Sequence, residues 1–208
     1  MKSLPSPDHS SAAGSVFFFK GLPETGLLFY FQSQFPEHGQ GCGPFSIAMA
    51  ANLCNNSSAK PGYMGAEIEA ELERRGLKIH GFGMPTWLGF RRGLALFAPG
   101  KLEYKSHARI QDLEQAIAEN NLPLVAIAWQ TTLEVLRDLR HASVGHYMVG
   151  VGYDLENERI YFLNPGLGPQ EGLKGLSSWS YQEFDKYWNR TWNIFIQPGS
   201  MWTISGSV

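Results

Sequence analysis

The sequence predicts an α+β domain, with helices in its first half and an antiparallel sheet in its second. Apolar residues recur at three- and four-residue intervals over 65–75, 86–97 and 109–120, which is typical of amphipathic helices. From Leu122 onward, short runs rich in β-branched and aromatic residues predict strands. In such a domain we expect an active site where the helical part meets the sheet.

The predicted elements follow one another in a simple order. Residues 1–15 form a polar, flexible tail, and residues 16–208 form a single domain with a helical lobe over 29–120 and a sheet lobe over 121–200. A Pro- and Gly-rich loop over 32–43 leads into a helix over 44–53. The other helices are predicted over 65–75, 86–97, 109–120, 132–140 and 181–189, and the strands over 124–129, 146–153, 159–163 and 192–196.

Composition and charge exclude several classes of protein. Hydrophobic residues make up 43% and charged residues 17% of the 208 residues, as in an ordinary compact globular domain. A net charge of −2 with scattered Lys and Arg predicts no nucleic-acid partner. The apolar run Val16–Phe19 ends at Lys20, which predicts neither a signal peptide nor a membrane span. We expect a cytoplasmic protein that uses no cofactor or metal.

Cys42 lies where the loop becomes a helix, in the sequence GCGPFSIAMA. Gly41 and Gly43 permit a tight loop and the close approach of a substrate backbone, and Pro44 suits the first turn of a helix. Free N–H groups at the start of a helix stabilise a thiolate and can hold an oxyanion, so we expect the thiol pKa to lie below its usual ~8.5. Cys42 is the candidate nucleophile, and the alternative is a small buried residue that only packs.

The second cysteine, Cys54, falls among apolar positions of the same helix and is expected in the core. The helical rise places it about 18 Å from Cys42, which is too far for a disulfide bond. Two unpaired thiols without a metal-ligand spacing point to a reducing compartment.

A thiol nucleophile needs a base, and His146 is the best placed of the six histidines. It opens the predicted strand GHYMVGVGYD, where a rigid element can hold the imidazole, and the run IYFLNPG predicts the return strand of a hairpin. If Tyr153 pairs with Arg159, His146 lies opposite Gly166, and Asn164 is its diagonal neighbour on the same face. The Asn164 amide oxygen can then accept from the ring N–H and fix the tautomer. The Asn-Pro-Gly sequence is also typical of a plain turn, which stays open as the alternative.

Taken in order, the motifs GCGPFSIAMA, GHYMVGVGYD and IYFLNPG resemble the papain-like cysteine peptidase clan. Over residues 29–196 the chain is most similar to the bacteriocin-processing peptidases that cut after a double-glycine leader, and to their stand-alone relatives. The resemblance implies a papain-like fold in which the Cys42 helix packs on the sheet. It also implies a cysteine peptidase or amide hydrolase that acts through an acyl-thioester on a peptide or peptide-like substrate.

In that clan a glutamine upstream of the cysteine donates a side-chain N–H to the oxyanion hole. The resemblance therefore implies such a role for Gln32, Gln34 or Gln40. We prefer Gln34, since Gln40 stands so close to Cys42 that its side chain would have to fold back.

A second resemblance is to phytochelatin synthase, a clan member that transfers γ-glutamylcysteine between glutathione molecules. It rests on LLFYFQSQ, on GCGPFSIAMAANL, and on the intervals from Cys42 to His146 and from His146 to Asn164. That family has aspartate in place of Asn164, and then an Arg- and Tyr-bearing segment that residues 165–169 do not match. Hydrolysis is therefore preferred over transfer to a second thiol peptide, and a peptide-tailoring acyltransferase stays open as an alternative. A third alternative, a silent domain that only binds leader peptides, is disfavoured because both Cys42 and His146 are retained.

Overall fold

The structure is a computed structural model that describes residues 16–20, 22, 41–54, 65–78, 88–98, 100–137, 145–166, 176–190 and 196–205. In these ranges no helix is long and apolar enough to cross a membrane. The tail predicted over 1–15 and Gln32, Gln34 and Gln40 lie outside the described residues.

The described ranges contain six α-helices and seven strands. The helices are α1 (Cys42–Cys54), α2 (Gly65–Arg74), α3 (Leu88–Phe97), α4 (Ile110–Ala118), α5 (Thr132–Arg137) and α6 (Tyr181–Asp185), and α6 continues as a π-helix over Lys186–Arg190. The strands are β1 (Val16–Phe18), β2 (Lys101–Lys105), β3 (Leu122–Ala128), β4 (Gly145–Asp154), β5 (Arg159–Leu163), β6 (Ser177–Ser180) and β7 (Met201–Ser205).

All of these strands belong to one antiparallel sheet in the order β2-β7-β3-β4-β5-β6, and β1 pairs with the end of β4. Alternate residues of β3 point to two different cores. Leu124 and Ala126 pack with α1, α2 and α3, whereas Val125 and Ile127 pack with α4, α6 and the π-helix. The sheet is thus covered by helices on both faces, and the predicted α+β class is confirmed.

Helix α1 is the central element of the first core, and its composition explains why. It combines good helix formers, such as Ala48 and Ala50, with larger apolar side chains on every face. All of its residues except Cys42 and Asn52 are buried. Ser46 fastens the helix to the sheet, because its buried hydroxyl donates to the Tyr147 carbonyl of β4 at 3.0 Å. The start of α1 therefore has a fixed position relative to the start of β4.

The β4–β5 hairpin has an irregular register that sets the positions of its polar residues. Asp154 pairs with Arg159 at the loop, so the expected pairing of Tyr153 with Arg159 is wrong by one residue. A β-bulge between Gly150 and Gly152 then shifts the register by one. Beyond the bulge, Val149 pairs with Leu163 and Gly150 with Phe162, as expected, because the bulge compensates for the shorter loop.

Most predicted elements correspond to observed ones. The helices predicted over 65–75, 86–97 and 109–120 contain α2, α3 and α4, and the strands predicted over 124–129, 146–153 and 159–163 overlap β3, β4 and β5. The structure adds the strands β1, β2, β6 and β7. Of the strand predicted over 192–196, only Ile196 is among the described residues.

Candidate active site

Cys42 is the first residue of α1 and is partly exposed. The Gly41 carbonyl accepts the first helical hydrogen bond, from the Phe45 N–H at 3.0 Å, so the N–H groups of Cys42 and Gly43 precede the regular ladder. Pro44 has no N–H to satisfy in this turn. Three backbone N–H groups interact with the Cys42 thiol, those of Tyr147, Gly43 and Cys42 itself. The thiol therefore lies between the start of α1 and the residue that follows His146 on β4.

The pKa of the Cys42 thiol lies above its ordinary value, so the expected lowering is wrong in direction. Burial is the largest cause, because it removes water from around the thiolate, and the Glu69 carboxylate adds a smaller upward contribution. The backbone N–H groups act in the opposite direction without reversing the shift. The raised pKa favours the thiol over the thiolate at Cys42.

His146 is the second residue of β4, where the backbone is held closely. A side chain at Gly145 would place a Cβ 1.9 Å from Ile196 Cδ1 and 2.5 Å from the Ile127 carbonyl oxygen, so only glycine fits beside the histidine. His146 also pairs with Ile127 of β3. These contacts leave the imidazole on a rigid support.

Asn164, just after β5, is hydrogen-bonded to His146, as its predicted position on the hairpin requires. Its Oδ1 lies 2.7 Å from His146 Nε2 and 3.0 Å from the backbone nitrogen of Gly166. A backbone N–H is only a donor, so the atom of Asn164 that faces it is the oxygen. That oxygen must then accept from His146 Nε2–H, and Nδ1 carries the free lone pair. The turn and the contact with His146, which the sequence presents as alternatives, share one oxygen atom.

The His146 imidazole is kept neutral by its surroundings. Burial lowers its pKa, and the hydrogen bond to Asn164 partly offsets this by raising it. The Trp129 ring lies beside it, with ring centroids 6.1 Å apart, and also contacts Trp179 and Tyr187. A thiol and a neutral imidazole are the states that general-base activation requires.

A family model described as the Peptidase C39-like family matches residues 27–194. The chain belongs to this family. The match spans Cys42, His146 and Asn164, and it confirms the predicted resemblance to C39-type papain-like peptidases.

Two solved structures share the fold of this C39-like protein. A Bacillus anthracis protein described as a C39-like peptidase matches with a TM-score of 0.56 and 12% identity, covering 90% of this chain and 96% of its own. Xylellain, a cysteine protease from Xylella fastidiosa, matches with a TM-score of 0.52 and 14% identity, covering 93% of this chain and 87% of its own. No curated protein matches the chain.

Of the predicted site residues, the structure brings Cys42, His146 and Asn164 to one region of the C39-like fold, where α1 meets β4. The preferred oxyanion donor, Gln34, lies outside the described residues, as do its alternatives. Within the described ranges, no group of three or more His, Cys, Asp or Glu side chains could hold a metal ion. Sequence reasoning placed Gly166 opposite His146 in the hairpin but did not single out Trp129, whose ring lies beside the histidine.

Proposed function

We propose that this C39-like protein is a thiol hydrolase that cleaves an amide bond of a peptide-like substrate through an acyl-thioester at Cys42. The observation that carries the proposal is the hydrogen bond from His146 Nε2 to Asn164 Oδ1, whose acceptor is identified by the Gly166 N–H. It leaves His146 Nδ1 as a proton acceptor on the strand that contacts the Cys42 thiol.

In the first half of the proposed reaction, the Cys42 sulfur attacks the substrate carbonyl carbon while His146 Nδ1 takes the thiol proton. The Cys42 backbone N–H and the Gln34 side chain hold the oxyanion that forms. The C–N bond then breaks, and the imidazolium gives its proton to the departing amine. The acyl group is left on Cys42 as a thioester.

In the second half, His146 takes a proton from a water molecule that attacks the thioester carbonyl. The C–S bond breaks, the carboxylic acid leaves, and the sulfur regains its proton from the imidazolium. An amine in place of water would turn the same acyl-enzyme into a transferase. Neither Cys42 nor Cys54 takes part in a disulfide bond in the part of the chain that the structure describes, which fits a reducing compartment.

The first test compares the two thiols of the chain by labelling with iodoacetamide, followed by peptide mapping. Cys54 is buried at the end of α1 and is the internal control. We expect Cys42 to react faster than Cys54, and His146→Ala to slow the labelling of Cys42 only. Faster labelling of Cys54, or an unchanged Cys42 rate in His146→Ala, would contradict the proposed nucleophile and base.

The second test concerns the substrate. The protein is incubated with a peptide library and, in parallel, with glutathione and a thiol-binding metal, and both products are analysed by mass spectrometry. We expect cleaved peptides and unchanged glutathione, with no cleavage by Cys42→Ala. Formation of γ-glutamylcysteine oligomers beside intact peptides would replace the hydrolase with a transpeptidase. Uncut peptides that bind equally well to wild type and Cys42→Ala would indicate a silent binding domain.

A further inference from the structure

We infer that Gly166 is a positioning residue for the His146 imidazole: its N–H holds the Asn164 oxygen, and its lack of a side chain leaves room for the ring. The inference rests on the proposed function, because it assumes that the orientation of His146 matters for Cys42.

The first observation is the Asx turn formed by residues 164–166. Asn164 Oδ1 accepts the Gly166 N–H at 3.0 Å, which is the usual local bond of such a turn. Without that donor, the Asn164 amide could rotate by half a turn and present its NH₂ group to His146. The imidazole would then need its lone pair on Nε2 and its proton on Nδ1, the nitrogen proposed to take the proton of Cys42. The Gly166 N–H therefore selects the useful tautomer.

The second observation is independent of the first and concerns space. A Cβ at position 166 would lie 3.0 Å from His146 Cε1, which is closer than side chains normally pack, and 3.4 Å from Nε2, where ordinary contact begins. It would also lie 3.5 Å from Asn164 Oδ1. Any side chain at position 166 therefore meets the imidazole at the edge that faces Asn164.

Backbone conformation does not explain this glycine. The glycines with positive φ among the described residues are Gly76, Gly100 and Gly199, and Gly166 is not one of them. The backbone at 166 therefore accepts alanine, which would also reduce the conformational entropy of the unfolded chain. The demand for glycine comes from the histidine ring.

The imidazole has little freedom to yield to a methyl group. Its strand is fixed by the pairing with Ile127 and by the packed Gly145, and the Trp129 ring lies beside it. An alanine at 166 must therefore displace the imidazole ring by a few tenths of an ångström or lengthen the 2.7 Å hydrogen bond between His146 Nε2 and Asn164 Oδ1. Proton transfer depends steeply on such displacements.

The experiment compares two single glycine substitutions and measures the melting temperature and the labelling rate of Cys42 in each. In Gly166→Ala we expect a melting temperature close to that of wild type, iodoacetamide labelling of Cys42 at least about fivefold slower, and imidazole ¹⁵N signals that move away from the Nε2–H tautomer. Gly76 is the matched control, because it has the opposite properties. Its φ is +67°, which favours glycine, and no described atom outside its own local chain segment lies within 4 Å of the position that a Cβ would take. Gly76→Ala should lower the melting temperature and leave both the labelling of folded protein and the tautomer unchanged.

Three results would overturn the inference. The first is a Gly166→Ala variant whose Cys42 labelling rate and His146 tautomer equal those of wild type. The second is a slower labelling rate that is fully explained by the fraction of unfolded protein. The third is failure of Gly166→Ala to fold, since the backbone accepts alanine. Failure of the proposed function has a different signature. In that case His146→Ala labels at the wild-type rate, while the ¹⁵N signals of wild type and Gly166→Ala still report whether Gly166 sets the tautomer.

Discussion

At the loop end of the β4–β5 hairpin, the buried Asp154 carboxylate accepts the backbone N–H groups of Glu156 and Asn157 at 3.0 and 3.1 Å. At the open end, Asn164 Oδ1 accepts the Gly166 N–H in the same way, and the His146 ring in addition. Both ends thus use an Asx turn, and at the open end the acceptor oxygen of the turn also binds the His146 ring. The comparison teaches that a turn motif and the contact proposed to orient a catalytic base can use the same acceptor oxygen.

The largest expected effect is at the open end. Asn164→Ala removes the acceptor for His146 Nε2–H, and we expect turnover per folded molecule to fall by about a hundredfold, the low end of what general acid–base catalysis contributes. The loss should be smaller than in Cys42→Ala. Steady-state kinetics on the peptide found by the library screen measures it.

Asn164→Asp is the matched control, because a carboxylate still accepts both N–H groups, and it should retain most of the turnover. If Asn164→Ala keeps wild-type turnover, the open end of the hairpin is a plain turn like the loop end, and the contact with His146 has no role in catalysis.

The next effect is at the loop end and concerns stability alone. Asp154→Ala removes the acceptor of the hydrogen bonds from the backbone N–H groups of Glu156 and Asn157 and from the Asn157 side chain, the last at 2.8 Å. We expect a loss of about 2 kcal/mol in the free energy of unfolding, as for hydrogen bonds to a charged group. Chemical denaturation measures it, and turnover per folded molecule should be unchanged. A loss of turnover in the folded protein would mean that the two ends are coupled through the hairpin.

How much of this hairpin was predictable from the sequence depends on which end is considered. The contact between His146 and Asn164 was derived from a register that is wrong at the loop, where Asp154 pairs with Arg159. It is present because the bulge between Gly150 and Gly152 shifts the register by one residue. Two glycines in a strand are a known sign of a bulge, but they do not say which way the register moves.

The same limit applies to the rest of the fold. Helix α1 and strand β3 were predictable because their apolar runs are buried almost throughout. Strand β2 was not, because most of its residues are exposed and charged or polar, and it is recognised only by its pairing with β7. The raised thiol pKa was also missed, because the N–H groups are visible in the sequence pattern whereas the burial that outweighs them depends on tertiary packing.

The third prediction concerns the pH dependence of turnover, which should respond to a change at the open end of the hairpin and not to one at the loop end. In the proposed mechanism neutral imidazole is the active form. It exists above the pKa of His146, which burial lowers, so turnover should persist below the ordinary imidazole range near ~6.5. Since the Asn164 hydrogen bond raises this pKa, Asn164→Ala should move the acid limb to lower pH, and Asp154→Ala should leave it in place.

The pH dependence of the alkylation rate of Cys42 reports on the thiol at alkaline pH. Because burial raises the thiol pKa, the rate in the folded protein should rise at a higher pH than in the chain unfolded in urea. A midpoint below that of the unfolded chain would instead indicate a thiolate–imidazolium pair at rest.

The smallest expected effect lies in the loop itself. Glu158 has a φ of 48°, a left-handed conformation that glycine adopts more easily. Glu158→Gly should raise the free energy of unfolding by about 0.5 kcal/mol, since relief of strain is partly offset by the greater entropy of the unfolded chain. Glu156→Gly is the control, because Glu156 has no positive φ, and it should be slightly destabilising. Denaturant midpoints of the two variants should therefore move in opposite directions.

The burial of α1 on every face has a consequence for how the protein would lose activity. Since α1 is enclosed by α2, α3 and the sheet, with only Cys42 and Asn52 not buried, the amide hydrogens of its hydrogen-bond ladder should exchange only through global unfolding. Cys42, the proposed nucleophile, is the first residue of this helix. On heating, α1 should therefore unfold together with the rest of the domain, with no earlier, local melting step of the helix.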